Sequence, residues 1–115
     1  MTGALEWPDQ LAEAGTFTAP VVEQILSLHG KRGRRAIGAV GERRVKQYRD
    51  FTVVVGYEAE YLVEDRYCTC ADTRYNLDSD DPNDLCWHVL ATIMAEQLGV
   101  MDVHDMWYSD VHDFF

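Results

Sequence analysis

The chain has no apolar run near the roughly 18 residues that a membrane span needs. Its start, MTGALEWPDQ, has neither the basic opening nor the apolar middle of a secretory signal. A cytoplasmic protein is therefore expected. No internal repeat, low-complexity tract or interdomain linker breaks the 115 residues, so they are expected to form one domain, with a core modest enough to profit from a staple. Cysteine is scarce: three residues cannot all pair, and an intracellular protein has little use for a structural disulfide. Lysine is scarcer, with Lys31 and Lys46 alone among ten basic residues, against 12 Asp and 8 Glu and a net charge of -10. An Asp-rich, Lys-poor surface is the composition of proteins from salt-loving organisms, in which the Debye length shrinks to about 3 Å or less.

The basic charge that is present is concentrated. Lys31, Arg32, Arg34, Arg35, Arg43, Arg44, Lys46 and Arg49 fall within 19 positions in which Glu42 is the only acid. This asymmetry predicts either two faces with different partners or a fold that pairs the two signs internally.

An α+β fold is expected, in three parts. Residues 1–41 form a helical N-terminal part: Thr18 as cap and Pro20 in the first turn open PVVEQILSLHG, whose Val21, Val22, Ile25, Leu26 and Leu28 have helical spacing. Gly30 and Gly33 interrupt before RRAIGAVG resumes a helix ending near Gly41, as one bent helix or two. Residues 44–98 carry the β segments RRVKQY, FTVVVGY and EYLVEDRY, read as a three-stranded antiparallel sheet, and then the helix LCWHVLATIMAEQLG, capped by Asp84 and ended by Gly99. Residues 99–115 are a tail of acids alternating with large apolar groups.

All three cysteines and one of four histidines lie in YCTCADTRYNLDSDDPNDLCWH, residues 67–88. Cys68 and Cys70, two apart at a strand end, send their sulfurs to the same side of the backbone. Cys86 and His88 sit in the first turn of the next helix, whose positive end favours a thiolate. Together they can close a tetrahedral site of three sulfurs and one nitrogen, the usual coordination of structural zinc. Soft thiolates favour Zn2+ over calcium or magnesium. Four protein ligands leave no position for a reactive water, which points to a structural ion and a protein that is not an enzyme. The rival is a thiol redox protein, although a Cys-x-Cys ring is short and strained and lacks the two-residue spacing of thioredoxin-like sites. Asp72, Asp78, Asp80, Asp81 and Asp84 are expected to form a solvated rim; Pro82 and the lack of a following glycine exclude a calcium loop.

The order Cys-x-Cys, 15 residues, Cys-x-His, placed after a hairpin and running into a helix, resembles the SWIM zinc-finger family through Cys68, Cys70, Cys86 and His88. With its basic lead-in, an aromatic before the first cysteine and a Cys-aromatic-His pair, the chain is most similar to the small archaeal SWIM proteins of Shu-type recombination complexes. The resemblance implies a non-catalytic interaction subunit partnering a RecA-like recombinase paralogue in homologous recombination and DNA repair, with no small-molecule substrate. The long acidic insert departs from the shorter, basic SWIM loops.

Two further features bear on partners. Arg34, Arg35, Arg43 and Arg44 are candidates for contact with nucleic acid or an acidic protein, the alternative being a nucleic-acid-binding regulator; HGKRGRRAI even resembles the Gly-x-x-Gly clamp of KH domains, though with the wrong strand order. Trp107, Tyr108, Phe114 and Phe115 are candidates for a protein interface if exposed, and otherwise pack back on the sheet. Trp87, between two ligands, is expected to pack over the metal site. His29, His104 and His112 have no partner spacing.

Overall fold

A computed structural model describes residues 6–65, 67–77, 81 and 84–111. The architecture is α+β: α1 (Trp7–Ala14), α2 (Ala19–His29), α3 (Lys31–Gly41), β1 (Val45–Gln47), β2 (Thr52–Val55), β3 (Glu60–Glu64), β4 (Tyr67–Cys68), α4 (Ala71–Tyr75), α5 (Trp87–Leu98), β5 (Asp102–Val103) and α6 (Tyr108–Val111).

The expected three-stranded antiparallel sheet is the centre of a five-stranded mixed one, ordered β4-β3-β2-β1-β5. Strands β1 to β4 pair antiparallel in succession, while β5 joins β1 in parallel, Lys46 opposite Asp102 and Gln47 opposite Val103. The additions are two residues long, too short to show a period of two in sequence. Neighbouring residues of β2 face opposite ways. Val54 enters the main core with Val45, Val63, Leu90 and Met94, whereas Val53 meets Tyr48, Tyr108, Phe51 and Leu62 on the other face.

Helix α5 lies on the sheet and is itself covered by α1 and α3, with α2 backing α3. That position explains why it is buried nearly all round, through Val89, Leu90, Ala91, Met94 and Ala95, and not on one stripe. Gly99 ends it in the left-handed conformation, at φ 66°, as expected. The N-terminal segment resolves into two helices split at Gly30, whose φ of 57° and ψ of -127° suit glycine far better than a residue with a Cβ. They pack closely because Gly33 has no side chain: a Cβ there would lie 2.8 Å from Ile25 Cγ2.

Helix α1 is an addition to the sequence reading. Trp7 and Leu11 are fully buried against the core, and Trp7 Nε1–H donates to His29 Nε2 at 3.1 Å. His29 therefore has a partner. Burial, and then the nearby Arg32 charge, lower its pKa, consistent with a neutral ring acting as acceptor.

The tail returns to the sheet. Beyond β5, the Tyr108 and Ser109 amides donate to the Asp50 carboxylate, and the Tyr108 hydroxyl donates to Glu60 at 2.9 Å. Tyr108 is thus buried and anchors the tail, packing back on the sheet, the second of the two arrangements open to the tail aromatics. Burial and the Glu60 carboxylate push its phenol up to about 12. Trp107 is about half exposed, and Met106 and Val103 are exposed as well. Phe114, Phe115 and His112 lie outside the described residues. No described helix is long and apolar enough to cross a membrane.

Candidate metal centre

Strand β4 forms because β3 folds back on it, pairing Val63 with Cys68 and Glu64 with Tyr67. Thr69 prolongs the pairing. Its amide donates to the Leu62 carbonyl, and its hydroxyl accepts the Leu62 amide, both at 3.1 Å. Cys68 and Cys70 are thereby held on one side of a short extended stretch. Cys70 then serves as N-cap of α4, its sulfur accepting from the Thr73 amide at 3.4 Å.

The second ligand pair starts α5. Cys86 is itself the N-cap residue, in extended conformation, and His88 is the second residue of the helix. Asp84 does not cap this helix as expected, because the cap position falls two residues later. It accepts from Arg32 instead.

One ligand atom from each of Cys68, Cys70, Cys86 and His88 lies within 4.8 Å of all the others, and all four residues are buried. A tetrahedron with metal–sulfur bonds near 2.3 Å has edges of about 3.8 Å, so a small contraction suffices to close the cluster on an ion. The donor chemistry fits as well as the spacing. Neither ring nitrogen of His88 has a hydrogen-bond partner among the described residues, though the side chain is buried. Such a group costs about 1–3 kcal/mol if left so, and a bound cation removes that cost.

The sulfurs are prepared for the same purpose. The hydrogen bond from the Cys68 thiol lowers the Cys86 pKa against the opposing effect of burial, and His88, Thr73 and the Val89 amide add to the lowering. His88 acts here by proximity, without alignment for a hydrogen bond. Cys68 is pushed well up as the donor of the pair, with burial acting in the same direction. Two adjacent buried thiolates repel, so full deprotonation of the set calls for a cation among them. All three cysteines are free of disulfides.

Arg32 ties the two ligand pairs together. Its Nε and Nη2 donate to Asp72 at 2.8 and 3.0 Å, and its Nη1 to Asp84 at 3.1 Å. Asp72 follows Cys70 by two residues and Asp84 precedes Cys86 by two, so one guanidinium from α3 spans both. The hydrogen bond from Arg32 holds the Asp72 carboxyl below its usual range. Two of the acids expected on a solvated rim are thus half-buried and paired; Asp81 is exposed, and Asp78 and Asp80 lie outside the described residues.

The basic segment is divided in use. Arg32 braces the centre, Arg49 pairs with Asp105 and Arg44 with Glu42. Arg34, Arg35 and Arg43 are exposed and make no ion pair among the described residues. Trp87 packs as expected on the metal-site side, its ring 3.9 Å from that of His88, while Tyr61 covers His88 at 4.2 Å. Sequence reasoning missed Tyr61, Thr73 and the Arg32 brace; only Thr73, in a Cys-x-x-Thr cap pattern, left a local signal.

No family model and no solved structure matches the chain. An uncharacterized protein of Archaeoglobus fulgidus is 42% identical to it over 89 residues, a stretch that covers 77% of this chain and 75% of the relative. At that identity and coverage, the chain belongs to the same protein family as this archaeal relative.

Proposed function

We propose that the chain is a non-catalytic zinc-binding protein of SWIM type, an interaction subunit that docks a RecA-like recombinase paralogue in homologous recombination and DNA repair. The observation that carries the reading is the convergence of Cys68, Cys70, Cys86 and His88 on one buried point. Three soft sulfurs and one imidazole select zinc over calcium or magnesium, and four protein donors leave no place for a reactive water. The Cys-x-Cys and Cys-x-His order supports the SWIM assignment, and with it the partner class and a cytoplasmic location. Zinc fixes the β3–β4 hairpin against the start of α5, and the rigid surface so formed does the docking. Trp107, with Met106 and Val103, offers exposed apolar surface for a protein contact.

The test is a native pull-down with elemental analysis of what is recovered. One zinc per chain and a co-purifying RecA-like protein are expected, and Cys68→Ser or His88→Ala should abolish both. A metal-free variant that kept full affinity for the partner would refute the reading, as would a disulfide-linked, zinc-free native protein.

A further inference from the structure

A cleft of about 540 Å3 opens beside the metal centre, between α3, the β2–β3 turn and the first residues of α5. We propose that it is a binding site for a nucleotide unit, a planar base carrying a phosphate, with the base stacked on Tyr57 and the phosphate at Arg35. This goes beyond the docking role and does not depend on it.

The platform comes first. Tyr57 is 86% exposed, yet its ring is held in place. The Arg44 guanidinium lies over one face, 4.6 Å from the centroid, and the hydroxyl is 3.4 Å from Glu42 Oε1. Arg44 is fixed in turn by its bond to the Val55 carbonyl at 2.9 Å and by Glu42. The ring face away from Arg44 is open to a ligand ring, and bases stack on such faces whatever their identity.

The anion site follows from charge. Arg35 lines the cleft with no ion pair among the described residues, and Arg34 and Lys31 are exposed on the same helix. Of the two acids in the lining, Glu42 is engaged by Arg44 and Tyr57, while Glu58 sits in the β2–β3 turn beside the platform. A phosphate is therefore directed toward α3 and away from the turn.

The third observation is Gly38, which lines the cleft from the middle of α3. A Cβ there would meet no atom within 4 Å. Glycine inside a helix costs about 1 kcal/mol relative to alanine, and packing does not explain its presence, in contrast to Gly33. A ligand lying close on the helix backbone does.

The experiment titrates the full chain, purified with its metal, against AMP and against a labelled thymidine strand of about ten nucleotides, read by fluorescence anisotropy and competition. Tyr57→Ala and Arg35→Ala should each weaken binding about tenfold, Tyr57→Trp should preserve it, and Glu58→Gln should tighten it. Gly38→Leu should raise the melting temperature while blocking the site. Binding of AMP with this residue dependence assigns a free nucleotide; binding of the strand alone assigns a single-strand unit. The proposal is overturned if neither ligand binds, if Tyr57→Ala or Gly38→Leu binds as the wild type does, or if polyglutamate displaces the strand as well as unlabelled strand does.

Discussion

Arg32 joins segments 40 and 52 positions away in sequence, the turn after Cys70 and the turn before Cys86. Its side chain is about a third exposed, so water screens the pairs and the charge contribution to stability is about 1 kcal/mol. The geometric contribution is larger in consequence, because a fork that fits Asp72 bidentately cannot be copied by a point charge. Arg32→Ala should therefore lower the unfolding midpoint modestly but speed metal loss to a chelator severalfold, with Arg32→Lys in between; metal release at the wild-type rate in Arg32→Ala would remove the brace. His29 supplies a second test at this scale. Its folded pKa is lowered from 6.5, so the unfolded chain binds the proton more readily and the stability contributed by neutral His29 is present above about pH 6.5 and lost as pH falls below it. His29→Gln keeps an acceptor for Trp7 without the titration. Its melting temperature should fall less than that of the wild type between pH 7.5 and 5.5, and parallel declines would contradict the assignment. At this scale the sequence exposed what is local. The four candidate ligands declare themselves by spacing, whereas Arg32 was one arginine among eight, its acids hidden in a loop rich in aspartate.

Helix α3 contains two interior glycines, Gly33 and Gly38, and their environments predict opposite signs. At Gly33 an added methyl must displace Ile25 and strain the α2–α3 contact, so Gly33→Ala should destabilise by about 1–3 kcal/mol. At Gly38 the space is open and the backbone helical, so Gly38→Ala should stabilise by up to about 1 kcal/mol. Urea midpoints of the two variants, moving in opposite directions, are the check; two shifts of the same sign would disprove the helix contact as described. The same contrast shows what a pattern can and cannot convey. The three central strands were legible because Val, Tyr and Phe are concentrated in them, and α5 because its apolar run begins and ends on recognisable signals. Strands β4 and β5 exist through pairing alone, and α1 buries only Trp7 and Leu11, too few positions to establish a period.

For the molecule as a whole, the governing quantity is a net charge of -10 on 115 residues. Eight of the ten cations lie within residues 31–49, where Arg32, Arg44 and Arg49 are engaged in ion pairs, and with 20 carboxylates against 10 cations the acids repel one another on balance. Self-repulsion of that kind opposes the compact state. Salt screens it as the Debye length falls from about 10 Å at 0.1 M to about 3 Å at 1 M. The exposed pairs, such as Arg49 with Asp105, lose little, since such pairs contribute about 0–1 kcal/mol at any salt. The repulsive part should win, and the melting temperature of the metal-loaded protein should rise with potassium chloride over this range. Neutralising part of the acidic excess at positions outside the ion pairs, with Glu96→Gln and Asp110→Asn together, should raise the starting value and flatten the rise. A general salt effect on apolar burial would raise both proteins equally, so the difference between the two slopes isolates the charge term. Identical slopes, or a wild-type melting temperature that falls with salt, would mean that the pairs dominate and the acidic surface is neutralised within the fold.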